Sequence, residues 1–389
     1  MPVINRIAEF HEEITAWRRD LHENPEILYE VHRTAGKVEE LLKSFGCDEV
    51  VSGIGQTGVV GLIKGNKNSN GRCVGLRADM DALPIHEKTG LEHASKTDGA
   101  MHACGHDGHT AMLLGAAKYL AETRNFDGDV AVIFQPAEEG GAGGKAMVDD
   151  GMMERFGIQE VFGMHNMPGI PVGEFAIREG GIMAAADQWT VKVTGVDSHA
   201  AMPHLSVDPI VISAHIVTAF QTIVARNIDP IQSAVLSTTK INGGSAFNII
   251  PMHVEICGTV RALDPEVRET VKSRLIATAE SIAASFGGKA EVDYHDGYPV
   301  TVNAKEQTAF AVQIASNLVG EERVDDNVAP TMGGEDFSFM ANARPGAFIM
   351  IGNGDTAGLH QDMYDFNDDV IPYGSSYWAQ LVETAMPAN

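Results

Sequence analysis

Residues 102–109 read His-Ala-Cys-Gly-His-Asp-Gly-His, which places Cys104 and the imidazoles of His102, His106 and His109 in one short stretch. Thiolate and neutral imidazole are preferred donors for Zn²⁺ and the neighbouring late transition metals. Any one of these histidines would suit a polar turn, but the group together points to a metal. A second stretch, residues 130–134, is uniformly apolar and runs through Gln135, Pro136 and Ala137 into the adjacent carboxylates Glu138 and Glu139. Two more donors follow the same grammar, with His165 after the apolar run 161–164 and His360 shortly after the run 347–351. Ligand groups of open α/β sheets collect beyond the carboxyl ends of strands, so Cys104, His106, Glu139, His165 and His360 should face one crevice. That collection is too large for a single tetrahedral ion, and two metals sharing a bridging ligand are the economical solution. Asp79 and Asp81 also lie at the end of an apolar run, where a carboxylate can hold a ligating imidazole by its second nitrogen. Asp81 is given that part, while Asp79, Asp107, Glu335 and Asp336 stay open between pocket and turn.

The elements that must carry these residues alternate between short β-rich runs and helical periodicity from Cys73 onward, with a helix over 108–122 and strands over 73–78, 129–134 and 161–164. Near Asp187 the pattern changes to strand 188–194, helix 209–226, strands 234–241 and 253–263, helix 265–286 and strand 289–294. A β-α-β-β-α-β order is the signature of a ferredoxin-like unit. Its helices begin at Asp208-Pro209 and Asp264-Pro265, where Asp can cap and Pro fits the first turn. The α/β pattern resumes after Pro299 with a helix over 308–319 and the strand 347–351. The expected class is therefore α/β: a layered, metallopeptidase-like catalytic domain (1–186 and 297–389) with an inserted α+β ferredoxin-like domain (187–296).

With 389 residues, 44% of them apolar and 21% charged, the chain can bury two cores. The net charge of -25 and the lack of any basic cluster disfavour nucleic acid and anionic membranes as partners. Apolar positions Ile4, Ile7, Phe10, Ile14, Trp17 and Leu21 predict an amphipathic N-terminal helix, and no uninterrupted apolar stretch reads as a membrane span. Cys47, Cys73, Cys104 and Cys257 are too sparse for a disulfide framework, which fits a reducing cytoplasm.

Residues 78–84, 102–109, 135–139, 163–166, 198–203, 248–251, 333–337 and 359–368, in that order, resemble the aminoacylase and carboxypeptidase family of dinuclear metallo-amidohydrolases. The resemblance is to the branch with hippurate hydrolase and the plant auxin-conjugate hydrolases, and it spans nearly the whole chain. It implies that Cys104, His106, Glu139, His165 and His360 hold two divalent ions, Zn²⁺ first, with Mn²⁺, Co²⁺ or Ni²⁺ as alternatives. It makes Glu138 the general base that takes the proton of the attacking water and returns it to the leaving nitrogen. The inserted domain is then a lid and a dimerisation surface. His199 would reach the substrate carbonyl, from the opposite subunit of a homodimer, and Asn248 and Arg261 would hold the substrate carboxylate. Where the wider family has a metal-binding His two positions before Asp81, this chain has Asp79, a departure shared with the hippurate-hydrolase branch. The implied substrates are N-acyl amino acids such as hippurate or N-acetyl amino acids. A dipeptidase or carboxypeptidase with the same metals, and a non-catalytic metal- or ligand-binding protein, are the alternatives.

Overall fold

The computed structural model describes residues 3–69 and 71–388, so Met1 and Asn389, the outer bounds of the expected catalytic domain, lie outside the described residues. Two compact units emerge: Met1–Gly180 with Val302–Ala329 and Asp336–Asn389, and Gly181–Thr301 with Pro330–Glu335.

The first unit is built on an eight-stranded sheet. Its strands lie in the order Glu49–Ile54, Gly58–Lys64, Asp129–Gln135, Cys73–Asp79, Glu160–Pro168, Gly346–Gly354, Phe175–Ala176 and Val324–Asp325. The four strands that were expected to carry chemistry are its parallel centre. Burial on both faces explains their continuous apolar runs, and parallel pairing sends all four carboxyl ends to one edge. The antiparallel pair Glu49–Ile54 and Gly58–Lys64 escapes a periodicity reading, because Gly53, Gly55, Gly58 and Gly61 break the pattern and the register shifts between Ser52 and Ile54. Helix His106–Thr123 is buried along nearly its whole length and packs against His11–Glu23 and Ile371–Ala385. The N-terminal periodicity is split into Asn5–Glu9 and His11–Glu23, because the Phe10 N–H bonds the Ile7 carbonyl in a tighter turn.

The second unit is a four-stranded antiparallel sheet in the order Ala234–Gly243, His253–Ala262, Ala185–Thr194 and Lys289–Tyr298. With helices Pro209–Asn227 and Pro265–Ser285 it forms the ferredoxin-like α+β arrangement. Its core joins Trp189, Val191 and Val193 to Ile212, Ile216 and Phe220 from one helix and to Val271 and Leu275 from the other. Asp208 and Asp264 cap the helices as their sequence predicts, each accepting from two backbone N–H groups. Pro209–Asn227 is long and apolar enough to cross a membrane by length and composition, although Ser213, His215, Gln221 and Arg226 interrupt its apolar run. Its buried stripe Ile212, Ile216, Phe220 and Ile223 instead packs into this core.

Candidate metal centre

The expected ligands arrive on four separate segments of the first unit. Glu138 and Glu139 follow Asp129–Gln135, His360 follows Gly346–Gly354, and Cys104 and His106 flank Gly105, whose φ of 88° turns the loop into helix His106–Thr123. His165 was expected just past its strand but lies within it, because Glu160–Pro168 keeps pairing with Gly346–Gly354 through His165 and Met350. Two non-glycine residues at this edge, Ala137 and His360, also take left-handed backbone, with φ of 54° and 62°. Such strain persists where the surroundings impose it, and it clusters at functional sites.

The five residues converge. Cys104, His106 and His165 form one donor group, and Cys104, Glu139 and His360 form a second, with the donor atoms of each group within 4.8 Å of one another. Cys104 is common to both. Its Sγ lies 3.4 Å from His165 Nε2, and His360 Nε2 lies 3.2 Å from Glu139 Oε1. A third group joins His106 to Glu138 and Glu139, so the buried Glu138 carboxylate borders the ligands.

The rings are oriented for a cation. The His106 Nδ1–H donates to the Asp81 carbonyl at 2.8 Å and that of His165 to the Asn166 carbonyl at 2.6 Å, which leaves each Nε2 as the ring atom available to a cation. His106 Nε2 is buried without a hydrogen-bond partner among the described residues. Buried polar atoms left so are costly, and a divalent ion is the partner that acceptors converging from several sides would share. The donor set therefore fits two metal ions.

Titration divides the donors: burial acts to lower His106, but the charges of Asp79 and Cys104 overcome it and hold the imidazolium well above its ordinary range. Burial drives the His165 imidazolium well below its ordinary range, so the ring is the neutral form that ligates. Burial pushes the Cys104 thiol up, while His106 and His360 pull it down. Hydrogen bonds to Cys104 and Glu139 raise His360 to about 10, giving the metal-free site a proton that an ion would displace.

Asp81 supports the donors from beneath. Its backbone carbonyl accepts the His106 Nδ1–H, with a carboxylate oxygen 3.6 Å from the same nitrogen. The carboxylate accepts the N–H groups of Glu138 at 2.9 Å and Glu139 at 3.1 Å, and so fixes the turn that presents both. Asp79 lies 3.7 Å from His106 Nε2 but is neutralised by Arg77 at 2.7 Å and bonded to His109 Nδ1 at 2.6 Å. Arg77 also reaches Asp336 at 3.0 Å, and Asp336, pushed by burial up to about 6, accepts the Gly144 N–H at 2.8 Å. His109 was missed as a site residue, although it lies three positions beyond His106 on one helix face. With both its nitrogens engaged, it supports rather than ligates. His102 joins no donor group, and burial depresses it to about 3.

The remaining expected residues lie in the second unit. Strand Ser198–His199 pairs with Ile249–Ile250, and the Ala200 N–H bonds the Asn248 carbonyl at 2.9 Å, so His199 and Asn248 share one exposed corner. His199 Nδ1 accepts the Ala201 N–H at 3.1 Å, which puts the ring proton on Nε2, pointing it to donate. Arg261 sits elsewhere. It pairs with Ala186, whereas the corner lies beyond the Thr194–His253 end of the same ladder, eight residues away along the strand. At about 3.3 Å per residue this is roughly 26 Å of strand between Arg261 and the end from which the corner continues. Arg261 lines a 550 Å³ cavity with Gln188, Trp189 and Lys240.

Sequence and structure comparisons agree with this geometry. Residues 75–384 match the model of peptidase family M20/M25/M40. The chain is 42% identical to a hippurate hydrolase of Campylobacter jejuni over 98% of each chain. It is 40% identical to an N-acetyl-L-cysteine deacetylase of Bacillus subtilis, over 98% of this chain and 90% of that one. The crystal structure of the Bacillus subtilis YXEP protein, a dinuclear metal binding peptidase from the M20 family, superposes with a TM-score of 0.86 at 33% identity, over 98% of this chain and all of that one. A family match across most of the chain, near-complete relatives and a donor set for two ions meet in one conclusion: the chain belongs to peptidase family M20/M25/M40, as a metal-dependent amidohydrolase of the branch that contains hippurate hydrolase.

Proposed function

We propose that the enzyme hydrolyses the amide bond of N-acyl amino acids, hippurate-like or N-acetyl, to a carboxylic acid and a free amino acid. The observation that carries this is the pair of donor groups sharing Cys104 with the buried Glu138 carboxylate at their border. Two divalent ions held there would acidify water and polarise a carbonyl, and the thiolate and imidazole donors favour Zn²⁺ over Mn²⁺, Co²⁺ or Ni²⁺. Glu138, set by its N–H bond to Asp81, takes a proton from the attacking water and delivers it to the amide nitrogen as the C–N bond breaks.

His199 donates through Nε2–H to the carbonyl oxygen as negative charge develops on it. Its wide separation from Arg261 within one chain supports a homodimer in which His199 and Asn248 serve the partner's site, while Arg261 takes the substrate carboxylate in its own. The second unit offers the surface, since Ile210, Val211, Phe247, Ile249 and Met252 are exposed there. Four unpaired cysteines suit a reducing cytoplasm.

The test is turnover of hippurate, N-acetyl amino acids and dipeptides by chelated protein after each metal is returned singly. Metal-dependent release of amino acid from the acylated compounds is expected. Faster cleavage of dipeptides would replace this reading with a peptidase, and metal-independent turnover would sink both.

A further inference from the structure

One residue bonds to two of the proposed ligands and to the groups behind them, yet offers no atom to a metal. Asn166 follows His165 on the strand Glu160–Pro168 and is fully buried. Its carbonyl accepts the His165 Nδ1–H at 2.6 Å. Its side-chain Nδ2 donates to the Cys104 carbonyl at 2.6 Å, and its Oδ1 accepts the Tyr364 hydroxyl at 2.7 Å. Its backbone N–H donates to His109 Nε2 at 2.9 Å, and through His109 the chain of bonds continues to Asp79 and Arg77.

We propose that Asn166 is a positioning residue that sets the distance between Cys104 and His165, and hence the affinity and geometry of the ion those two share with His106. The side chain spans the gap between a loop and a strand that no backbone bond joins at that point. A carboxamide is the group the place requires, because one end must donate to a carbonyl while the other accepts a hydroxyl. The neighbouring backbone is shaped around it. A Cβ at Gly105 would lie 2.3 Å from Asn166 Nδ2 and 2.5 Å from the Tyr364 hydroxyl, so only glycine lets the loop approach this closely. Burial keeps the Tyr364 phenol protonated, so it remains a donor to Oδ1. Groups that orient ligands from behind are typically worth roughly 10–100-fold in metal affinity.

The inference rests on the two-metal reading, and the experiment separates the two. Wild type, Asn166→Asp and Tyr364→Phe are stripped of metal and titrated with Co²⁺, reading stoichiometry, affinity and the thiolate-to-cobalt charge-transfer band, with the thermal melt of each metal-free protein alongside. Asn166→Asp keeps the shape and the acceptor for Tyr364 but sets an oxygen against the Cys104 carbonyl. It should bind one of the two ions roughly 10–100-fold more weakly with a displaced thiolate band, while the metal-free melt moves little. Should that variant fail to fold, Tyr364→Phe carries the test, with a several-fold loss of affinity expected because Asn166 keeps its bond to Cys104 but loses its anchor. Affinity and spectrum unchanged from wild type in the folded variants would overturn the positioning role and leave the metal reading intact. A wild type that binds no cobalt, or binds it without a thiolate band, would overturn both.

Discussion

Two buried polar clusters meet at the first turn of helix His106–Thr123, and consecutive residues belong to different ones. His106 shares its donor groups with Cys104 and His165 on one side and with Glu138 and Glu139 on the other, the atoms of each group within 4.8 Å of one another. Asp107 faces away into a charge-balanced set, with His22 Nδ1 at 2.8 Å and the buried Arg18 guanidinium at 3.6 Å. Arg18 reaches on to Asp368 at 2.7 Å and the Phe366 carbonyl at 2.9 Å. Both clusters are buried and both hold histidine, so neither burial nor residue type separates them. What differs is whether the cluster brings a fixed cation. The Asp107 set does, in Arg18, and it can hold a fold together unaided. The His106 set balances its acceptors with protons that ions would displace.

The sharpest way to break this contrast is at the metal side's reacting edge. Glu138→Gln should retain near-native metal content and lose several orders of magnitude in turnover, because the amide keeps the shape but cannot carry the proton. Glu139→Gln should instead lose affinity for at least one ion. Equal loss of metal in both variants, measured by elemental analysis, would mean that base and ligand have been misassigned.

The opposite cut is Arg18→Met. Removing one partner of a buried ion pair strands the other charge, and losses of about 3–5 kcal/mol are usual. The variant should unfold at distinctly lower urea while binding its full complement of metal. Loss of metal without loss of stability would erase the distinction between the clusters. Chelation cuts the other way: activity disappears, far-ultraviolet circular dichroism is retained, and the melt falls by an amount equivalent to about 3 kcal/mol for each ion that had been present at a hundredfold excess over its Kd. Wholesale unfolding on chelation would give the ions a structural role that the two hydrophobic cores make unnecessary.

How much of this a sequence discloses depends on whether a residue acts by type or by position. The ligands were legible because thiolate, imidazole and carboxylate stood at the ends of apolar runs that could only be central parallel strands. The ferredoxin-like order was legible because each strand buries one face and each helix opens with an Asp cap and a Pro. Asn166 and Tyr364 were not, since a buried amide and a phenol announce nothing until the fold brings Cys104 between them. Asp81 was legible as a support of His106, but the share taken by its backbone carbonyl was not, because a backbone carbonyl has no letter in the sequence. Arg18 and His22 look like ordinary charges on an amphipathic helix, but Arg18 bonds Phe366 and Asp368, some 350 positions on, and His22 meets Asp107 and Glu87.

The gentlest probe of the comparison is titration of the charge-balanced cluster alone. Burial acts to lower His22, but the Asp107 charge, with hydrogen bonds to Asp107 and Glu87, overcomes it and holds the imidazolium up to about 9 against an ordinary 6.5, even with Arg18 opposing. His93 and His102 also lie against the ring, and burial keeps both below their ordinary range, so neither supplies the charge. A group raised on folding stabilises fully below its unfolded value, and the contribution drains away as pH climbs through the folded one. The window is therefore pH 6.5 to about 9. Glu87, lowered to about 2, acts at the acid end and does not overlap it. His22→Gln removes the titrating proton and keeps a donor for Asp107, so the variant should be less stable than wild type by about 2 kcal/mol at pH 7.5. The gap should close by pH 10, as the wild-type imidazole loses its charge. Urea midpoints collected from pH 6 to 10 decide it. Parallel curves across that range would show that His22 carries no proton in the folded protein, and that Arg18 is the only cation balancing Asp107.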